Sequence, residues 1–137
     1  MLWYQLRENT RLVRAANTPK LVELSTPFYL QLAQDRALTD LWRQATRHFD
    51  ELDEIDQARY FNFLTWWLMV HENIYHQWRS KLIDEDTYSS WTRDLEYFAR
   101  SQQLANHWTR LNSYFESGPV VCEHVTAIIV RQTKEGE

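Results

Sequence analysis

The sequence predicts an all-α fold, a bundle of five to six helices around one long central helix. Residues Phe28 to Ser117 contain no proline and no glycine, so this span lacks the two residues that most often interrupt helices. The whole chain of 137 residues has only two glycines and three prolines, which leaves little of the turn chemistry that an all-β fold requires. A chain of this length most simply forms a single domain, here residues 1–137, with its own hydrophobic core.

The central helix is predicted to cover residues 54–82. Asp53 is its expected N-cap, and Glu54 and Asp56 place negative charge at the positive end of the helix dipole. One face of the segment carries an apolar stripe with the i, i+3, i+4, i+7 spacing of a core-facing helix. The stripe consists of Tyr60, Leu64, Trp67, His71, Ile74, Tyr75, Trp78 and Leu82.

The first part of the chain is predicted to form several shorter helices. Residues 2–17 make a peripheral helix with a loose apolar side. Thr18-Pro19 and Thr26-Pro27 each resemble an N-cap followed by proline at the first helical position, so residues 19–36 form either two short helices or one kinked helix. The apolar side of the first helix consists of Leu2, Leu6, Val13 and Ala16.

Two more helices flank the central one in the sequence. The first starts at Thr39 and ends near His48 or Phe49, before an acidic linker. The second covers residues 85–101, with Asp84 as its expected N-cap.

The C-terminal part of the chain is also predicted to be helical. A helix with regular apolar spacing is expected at residues 104–115. Residues 120–130 are rich in β-branched side chains, which favour strands, but a lone strand would have no partner in this chain, so we expect a helix. The tail from Arg131 to Glu137 is expected to be disordered.

Composition and charge exclude several classes of protein. The formal net charge of −4 provides no basic field, so nucleic acid is not an expected partner. Cys122 is the single cysteine, which excludes an internal disulfide and is consistent with the reducing cytoplasm. No signal peptide or membrane-spanning run is visible. Residues 2–17 could still lie on a membrane surface, because Trp3 and Tyr4 precede three arginines there.

The segment from His71 to His76 resembles the HExxH motif of zinc enzymes but has one residue too many. The two histidines are at positions i and i+5, about 140° apart on a regular helix, whereas the zinc motif needs i and i+4 on one face. No metal site is therefore expected. A ferritin-like dimetal site is excluded because the chain contains no Glu-x-x-His.

Two interpretations of Glu72 remain open. As a buried acid beside Tyr75 and His76, it could serve as a general base in a small-ligand or metal-dependent site around His71. Alternatively, it forms a surface pair with His76 or an ion pair with an arginine of a neighbouring helix. We therefore keep four candidate ligand-binding residues, name no catalytic residue and expect no cofactor. The four are His71, Glu72, Tyr75 and His76.

The surplus of aromatic side chains favours a different function, a non-enzymatic interaction or scaffold domain. The chain has seven Trp, seven Tyr and six Phe, more than a core of this size requires, and such residues are enriched at interfaces. We expect a homo-oligomer whose interface includes Trp3, Tyr4, Trp66 and Met69.

Several short segments of the chain form a recognisable set. They are Leu6-Arg7-Glu8-Asn9-Thr10, Leu41-Trp42-Arg43, His71-Glu72-Asn73 with Tyr75, Leu82-Ile83-Asp84 before Trp91, and Trp108 with Tyr114-Phe115. With these segments the chain resembles an uncharacterised bacterial family of small helical domains. Many members of that family carry a transmembrane helix before the first matched segment. The resemblance implies an all-helical fold and a juxtamembrane origin for residues 2–17, and it implies no activity.

Overall fold

The computed structural model describes residues 1–100, 108, 109, 112 and 119–135. These residues form an all-α bundle, which confirms the predicted fold class, and no strand occurs among them. The predicted helix at 104–115 lies largely outside the described residues. The helices are α1 (Leu2–Gln34), α2 (Arg36–His48), a 3₁₀ turn (Phe49–Glu51), α3 (Glu54–Arg79), α4 (Glu85–Ala99) and α5 (Pro119–Glu135).

Helix α1 differs from the prediction of several short helices, because it is continuous over 33 residues and passes through both Pro19 and Pro27. Thr18 and Thr26 do not act as N-caps. Their hydroxyl groups donate hydrogen bonds to carbonyl groups one turn earlier, at 3.3 and 2.6 Å, a pattern of residues inside a helix. The two prolines were therefore misinterpreted as helix starts.

Aspartates cap three of the helices. Asp53 and Asp84 accept hydrogen bonds from the backbone N–H groups of Asp56 and Thr87, each at 2.8 Å, which confirms both predicted N-caps. The start of α2 was predicted wrongly at Thr39, because Asp35 is the cap and α2 begins at Arg36.

The central helix α3 ends at Arg79, three residues before the predicted end. The backbone N–H of Leu82 donates to the carbonyl of Gln77 at 2.8 Å, and that of Lys81 donates to Trp78 at 2.9 Å. This pair of bonds is the Schellman C-cap, which requires a left-handed residue between the two helices. Lys81 takes that position with φ of 60°. A lysine is an unusual residue there, so no glycine marks the end of the helix in the sequence.

Helix α3 contributes to both clusters of the hydrophobic core. Tyr60, Leu64 and Trp67 lie in a large cluster with side chains of α1, α2, α4 and α5. Further along, Ile74 lies in a smaller cluster with Leu21 of α1 and Ile83 of the α3–α4 turn. The predicted stripe therefore faces the core, although Tyr75 and Trp78 are only half-buried.

The last helix, α5, confirms the helical interpretation of residues 120–130. Val121 and Val125 are buried against the large cluster, so the β-branched side chains pack on a helix rather than in a sheet. The helix continues to Glu135, beyond Arg131, where a disordered tail was expected.

Candidate functional sites

His71, the centre of the predicted ligand site, is a core residue. Its ring packs edge-to-face against Trp67 with 4.6 Å between the ring centroids. Nδ1 is buried and has no hydrogen-bond partner among the described residues. Burial lowers the pKa of His71 to about 4. The negative charge of Asp94 raises this pKa in part, and His124 lowers it by a smaller amount. The side chain is therefore a neutral imidazole at pH 7.

A small cavity lies beside His71, between α3, α4 and α5. Its volume is about 50 Å³, and Tyr75, Tyr88 and His124 also line it. Ligand sites in proteins typically have volumes of about 300–1,000 Å³, whereas a buried water needs only about 10–15 Å³ of accessible space. The cavity is thus large enough for water but too small for a metabolite.

Glu72 is buried and binds the start of another helix. Oε2 accepts a hydrogen bond from the backbone N–H of Val121 at 2.8 Å, in the first turn of α5. Oε1 lies 3.2 Å from Nε2 of His76, whose ring is exposed. The predicted Glu72–His76 pair is present, but Glu72 is buried, with 6% of the residue exposed, and does not lie on the surface. The contact with Val121 joins residues 49 positions apart, and no local sequence pattern indicates it.

The four candidate ligand-binding residues therefore do not converge on one site. His71 lines the small cavity together with Tyr75, whereas Glu72 binds α5 and His76 is exposed. In the part of the chain that the structure describes, no group of three or more His, Cys, Asp or Glu side chains could hold a metal ion.

The four candidate interface residues lie in different environments. Trp3 and Tyr4 are exposed on the first turn of α1, and Met69 is exposed on α3. Trp66 is different, because it packs edge-to-face against Phe28 and Phe63, with centroid distances of 6.0 and 5.9 Å. Most of the Trp66 side chain is therefore used in internal packing.

The N-terminal half of α1 lies on the outside of the bundle. No residue before Leu21 is buried, so about 28 Å of helix precedes the first core residue. One polar contact joins this part of α1 to the α3–α4 turn, where Nε of Arg14 donates to the carbonyl of Lys81 at 3.1 Å. None of the described helices combines the length and the hydrophobicity that a membrane span requires.

No pattern in the sequence indicates an apolar cleft that lies between four of the described helices. It has a volume of about 730 Å³ and lies between α1, α2, α3 and α4. Its walls are mostly aromatic, and its rim carries charged side chains. The lining residues come from four helices and are far apart in the sequence, so a helical periodicity places them on core-facing stripes but does not show that they leave a space.

Comparisons with known proteins add no relative. No protein-family model matches the chain, and no curated protein or solved structure matches it. The resemblance of the short segments to a bacterial helical family remains a prediction.

Proposed function

We propose that this chain is a non-enzymatic interaction domain that pairs with a second copy of itself through the N-terminal half of α1. The observation that carries the proposal is a helix surface with apolar side chains and no covering element. Leu2 is 75% exposed, Leu6 58% and Val13 45%. Large apolar side chains in a row on one helix surface are typical of interaction sites.

A row of five uncharged residues, four of them apolar, follows the spacing of a coiled coil. Intervals of four and three residues alternate along one side of the helix, as in the a and d positions of a heptad repeat. We call this row of side chains the α1 seam. Every one of them is exposed. The α1 seam consists of Leu2, Leu6, Asn9, Val13 and Ala16.

The charges of this segment all lie away from the α1 seam. At about 100° per residue, the four charged side chains fall on the opposite side of the helix. Two identical helices could therefore meet along the seam without bringing like charges together. Lys20 occupies the next seam position and ends the uncharged row. The four charged residues are Arg7, Glu8, Arg11 and Arg14.

Asn9 favours a parallel arrangement of the two copies. In a parallel pair each seam residue meets its own counterpart, so the two Asn9 side chains can hydrogen-bond to each other and fix the register. In an antiparallel pair that uses the same seam positions, Asn9 of one copy would face Leu6 or Val13 of the other copy. Its amide would then lose water without gaining a partner, which is costly.

The helix is already formed before the two copies meet. A free helix of this length is marginally stable in water, but the second half of α1 is anchored in the bundle by Leu21 and Phe28. Association therefore does not require new helix formation, and a short seam can suffice.

Sedimentation equilibrium tests the proposal. We expect the wild-type protein to sediment as two 16.7-kDa chains. We expect Leu6→Glu/Val13→Glu to sediment as one, because each substitution places like charges in the seam. A matched control is Ile55→Glu/Val130→Glu, which adds the same charges at exposed apolar positions elsewhere. The control should remain dimeric. A monomeric wild-type protein, or a seam variant that stays dimeric, contradicts the proposal.

A membrane surface is a second candidate partner for the same half of α1. Trp3 and Tyr4 are exposed beside the arginine-rich side of the helix, a combination found in helices that lie on lipid. The resemblance to a family with transmembrane helices also supports it. Liposome flotation of the seam variant and the control variant distinguishes a membrane surface from a second copy as the partner. If the wild-type protein is a monomer that floats with anionic vesicles, and the seam variant does not float, the partner of this half of α1 is a bilayer and not a second copy.

A further inference from the structure

The apolar cleft between α1, α2, α3 and α4 has the size and the walls of a small-molecule site. Its volume of about 730 Å³ falls within the range of ligand pockets, about 300–1,000 Å³. This cleft is separate from the α1 seam, because the lining residues that α1 contributes, such as Phe28 and Leu32, follow the N-terminal half of the helix.

The walls of the cleft are aromatic rings fixed by one another. Trp67 packs edge-to-face on Phe98 with 4.9 Å between the ring centroids. Trp42 stacks on Phe98 at 6.0 Å, with an angle of 29° between the ring planes. Phe28 contacts both Trp42 and Trp67. Because the rings hold each other in position, the cleft offers a preformed surface for a flat apolar molecule.

The rim of the cleft carries more positive than negative charge. Arg47 at the end of α2 and Arg100 at the end of α4 lie there with one carboxylate, Asp94. Asp94 already accepts a hydrogen bond from the hydroxyl of Tyr29 at 2.9 Å. Burial and this carboxylate raise the pKa of Tyr29 to about 12, so the phenol stays a neutral donor. Within the described residues, neither guanidinium group makes an ion pair or a hydrogen bond.

We propose that this cleft binds a flat aromatic molecule that carries one anionic oxygen group, a carboxylate or a sulfonate. The aromatic body lies on Trp42, Trp67 and Phe98, and the anionic group lies at the rim between Arg47 and Arg100. A guanidinium group donates two parallel hydrogen bonds to such an anion. Asp94 is held by Tyr29, and it repels a ligand with a second negative charge.

Two fluorescent probes separate the aromatic and the anionic contributions. Anilinonaphthalene sulfonate has the proposed chemistry, and N-phenylnaphthylamine is the corresponding molecule without the sulfonate. We expect one sulfonate probe to bind per chain, at least about tenfold more tightly than the neutral probe, which corresponds to about 1.4 kcal/mol. The titration uses folded full-length protein, with circular dichroism as the check of folding.

Variants of the cleft assign the binding to these residues. Arg47→Gln/Arg100→Gln should lower the affinity for the sulfonate probe to that for the neutral probe. The affinity for the neutral probe should stay unchanged. Thr46→Phe places a ring in the cleft and should exclude both probes. A matched control is Arg36→Gln/Arg43→Gln, which removes two exposed arginines of the same helix, α2, that do not line the cleft. The control should bind both probes like the wild-type protein.

Three results would overturn the inference. They are equal affinity for the two probes, unchanged sulfonate binding in Arg47→Gln/Arg100→Gln, and the absence of binding to the wild-type protein. The seam variant Leu6→Glu/Val13→Glu should bind the sulfonate probe normally, so this test is independent of self-association.

Discussion

The carboxylate of Glu72 in the middle of the bundle accepts a hydrogen bond from the backbone N–H of Val121, at 2.8 Å. This bond joins the central helix α3 to the first turn of α5. A helix start has free N–H groups and a partial positive charge. A buried carboxylate accepts a hydrogen bond from such a group and is attracted by the charge. His76 holds the other oxygen of Glu72 at 3.2 Å. The acid that resembled part of a zinc motif thus has a structural role, which is to fix the start of α5.

Removal of this carboxylate should therefore destabilise the fold. We expect Glu72→Ala to lower the free energy of unfolding by about 1–3 kcal/mol, because the buried N–H of Val121 loses its acceptor. Glu72→Gln keeps an acceptor oxygen and should lose less. Urea unfolding measures both, and Glu51→Gln, with a side chain that is 78% exposed, is the control. Wild-type stability in Glu72→Ala would contradict this role.

The buried imidazole of His71 should make stability depend on pH. Its pKa is lowered from 6.5 to about 4 by burial, so between these values the unfolded chain binds the proton and the folded chain does not. The free energy of unfolding therefore falls as the pH decreases from about 6.5 to 4, by up to about 3 kcal/mol. This contribution is absent above pH 6.5.

His71→Phe isolates that effect. Phenylalanine can keep the contact with Trp67 and removes both the titration and the buried Nδ1 that has no partner. We expect its stability at pH 7 to equal or exceed that of the wild-type protein, and its pH dependence between 4 and 6.5 to be flatter. Asp94 and His124, whose charges act on His71, remain in the variant, so the difference between the two proteins reports on His71 itself. Parallel pH profiles for the two proteins would count against the assignment.

The continuity of α1 through Pro19 can be tested by restoring a hydrogen bond. Proline inside a helix costs about 3 kcal/mol relative to alanine. We expect Pro19→Ala to raise the free energy of unfolding by about 1–3 kcal/mol, because residue 19 can then donate to the carbonyl of Ala15. Lys20→Ala, at an exposed neighbouring position, should change stability by less than about 0.5 kcal/mol. A loss of stability in Pro19→Ala would indicate that the helix ends near Thr18.

Alanine in place of Trp66 should destabilise the protein much more than alanine in place of Trp3. Trp66→Ala removes a ring that packs on Phe28 and Phe63 and should cost about 3 kcal/mol or more of stability. Trp3 is 71% exposed, so Trp3→Ala should leave thermal unfolding of the bundle almost unchanged at a fixed degree of association. Thermal denaturation monitored by circular dichroism compares them. Equal losses in both variants would mean that Trp3 is also buried in the domain.

Helical periodicity and capping chemistry account for what the sequence predicted correctly. The stripe of α3 and the caps Asp53 and Asp84 depend on residues a few positions apart, so they can be recognised locally. The end of α3 was missed because Lys81 occupies the left-handed position that usually belongs to glycine. The prolines of α1 were misinterpreted because a proline after threonine at a helix start looks the same as one inside a long helix.

The sites depend on contacts between distant residues, and this is where the sequence was least informative. His71 and Glu72 are neighbours in the chain, yet one lies in the core and the other binds α5. The aromatic cleft exists because four helices leave a space between their core-facing stripes. Neither arrangement produces a local motif. The exposed side of α1 is the exception, because its apolar residues could be recognised from spacing alone.

Cysteine cross-linking tests the central claim, parallel pairing of two copies along the α1 seam, most directly. Cys122 is buried, so a cysteine introduced at the surface is the reactive one. We expect oxidised Leu6→Cys and Val13→Cys to form disulfide-linked dimers, because each position meets its own counterpart only in a parallel pair. Ile55→Cys lies at a position on α3 that is more exposed than either seam residue, and it should form no disulfide-linked dimer under the same conditions. If neither seam cysteine cross-links more than Ile55→Cys, the α1 seam does not join two copies of this chain.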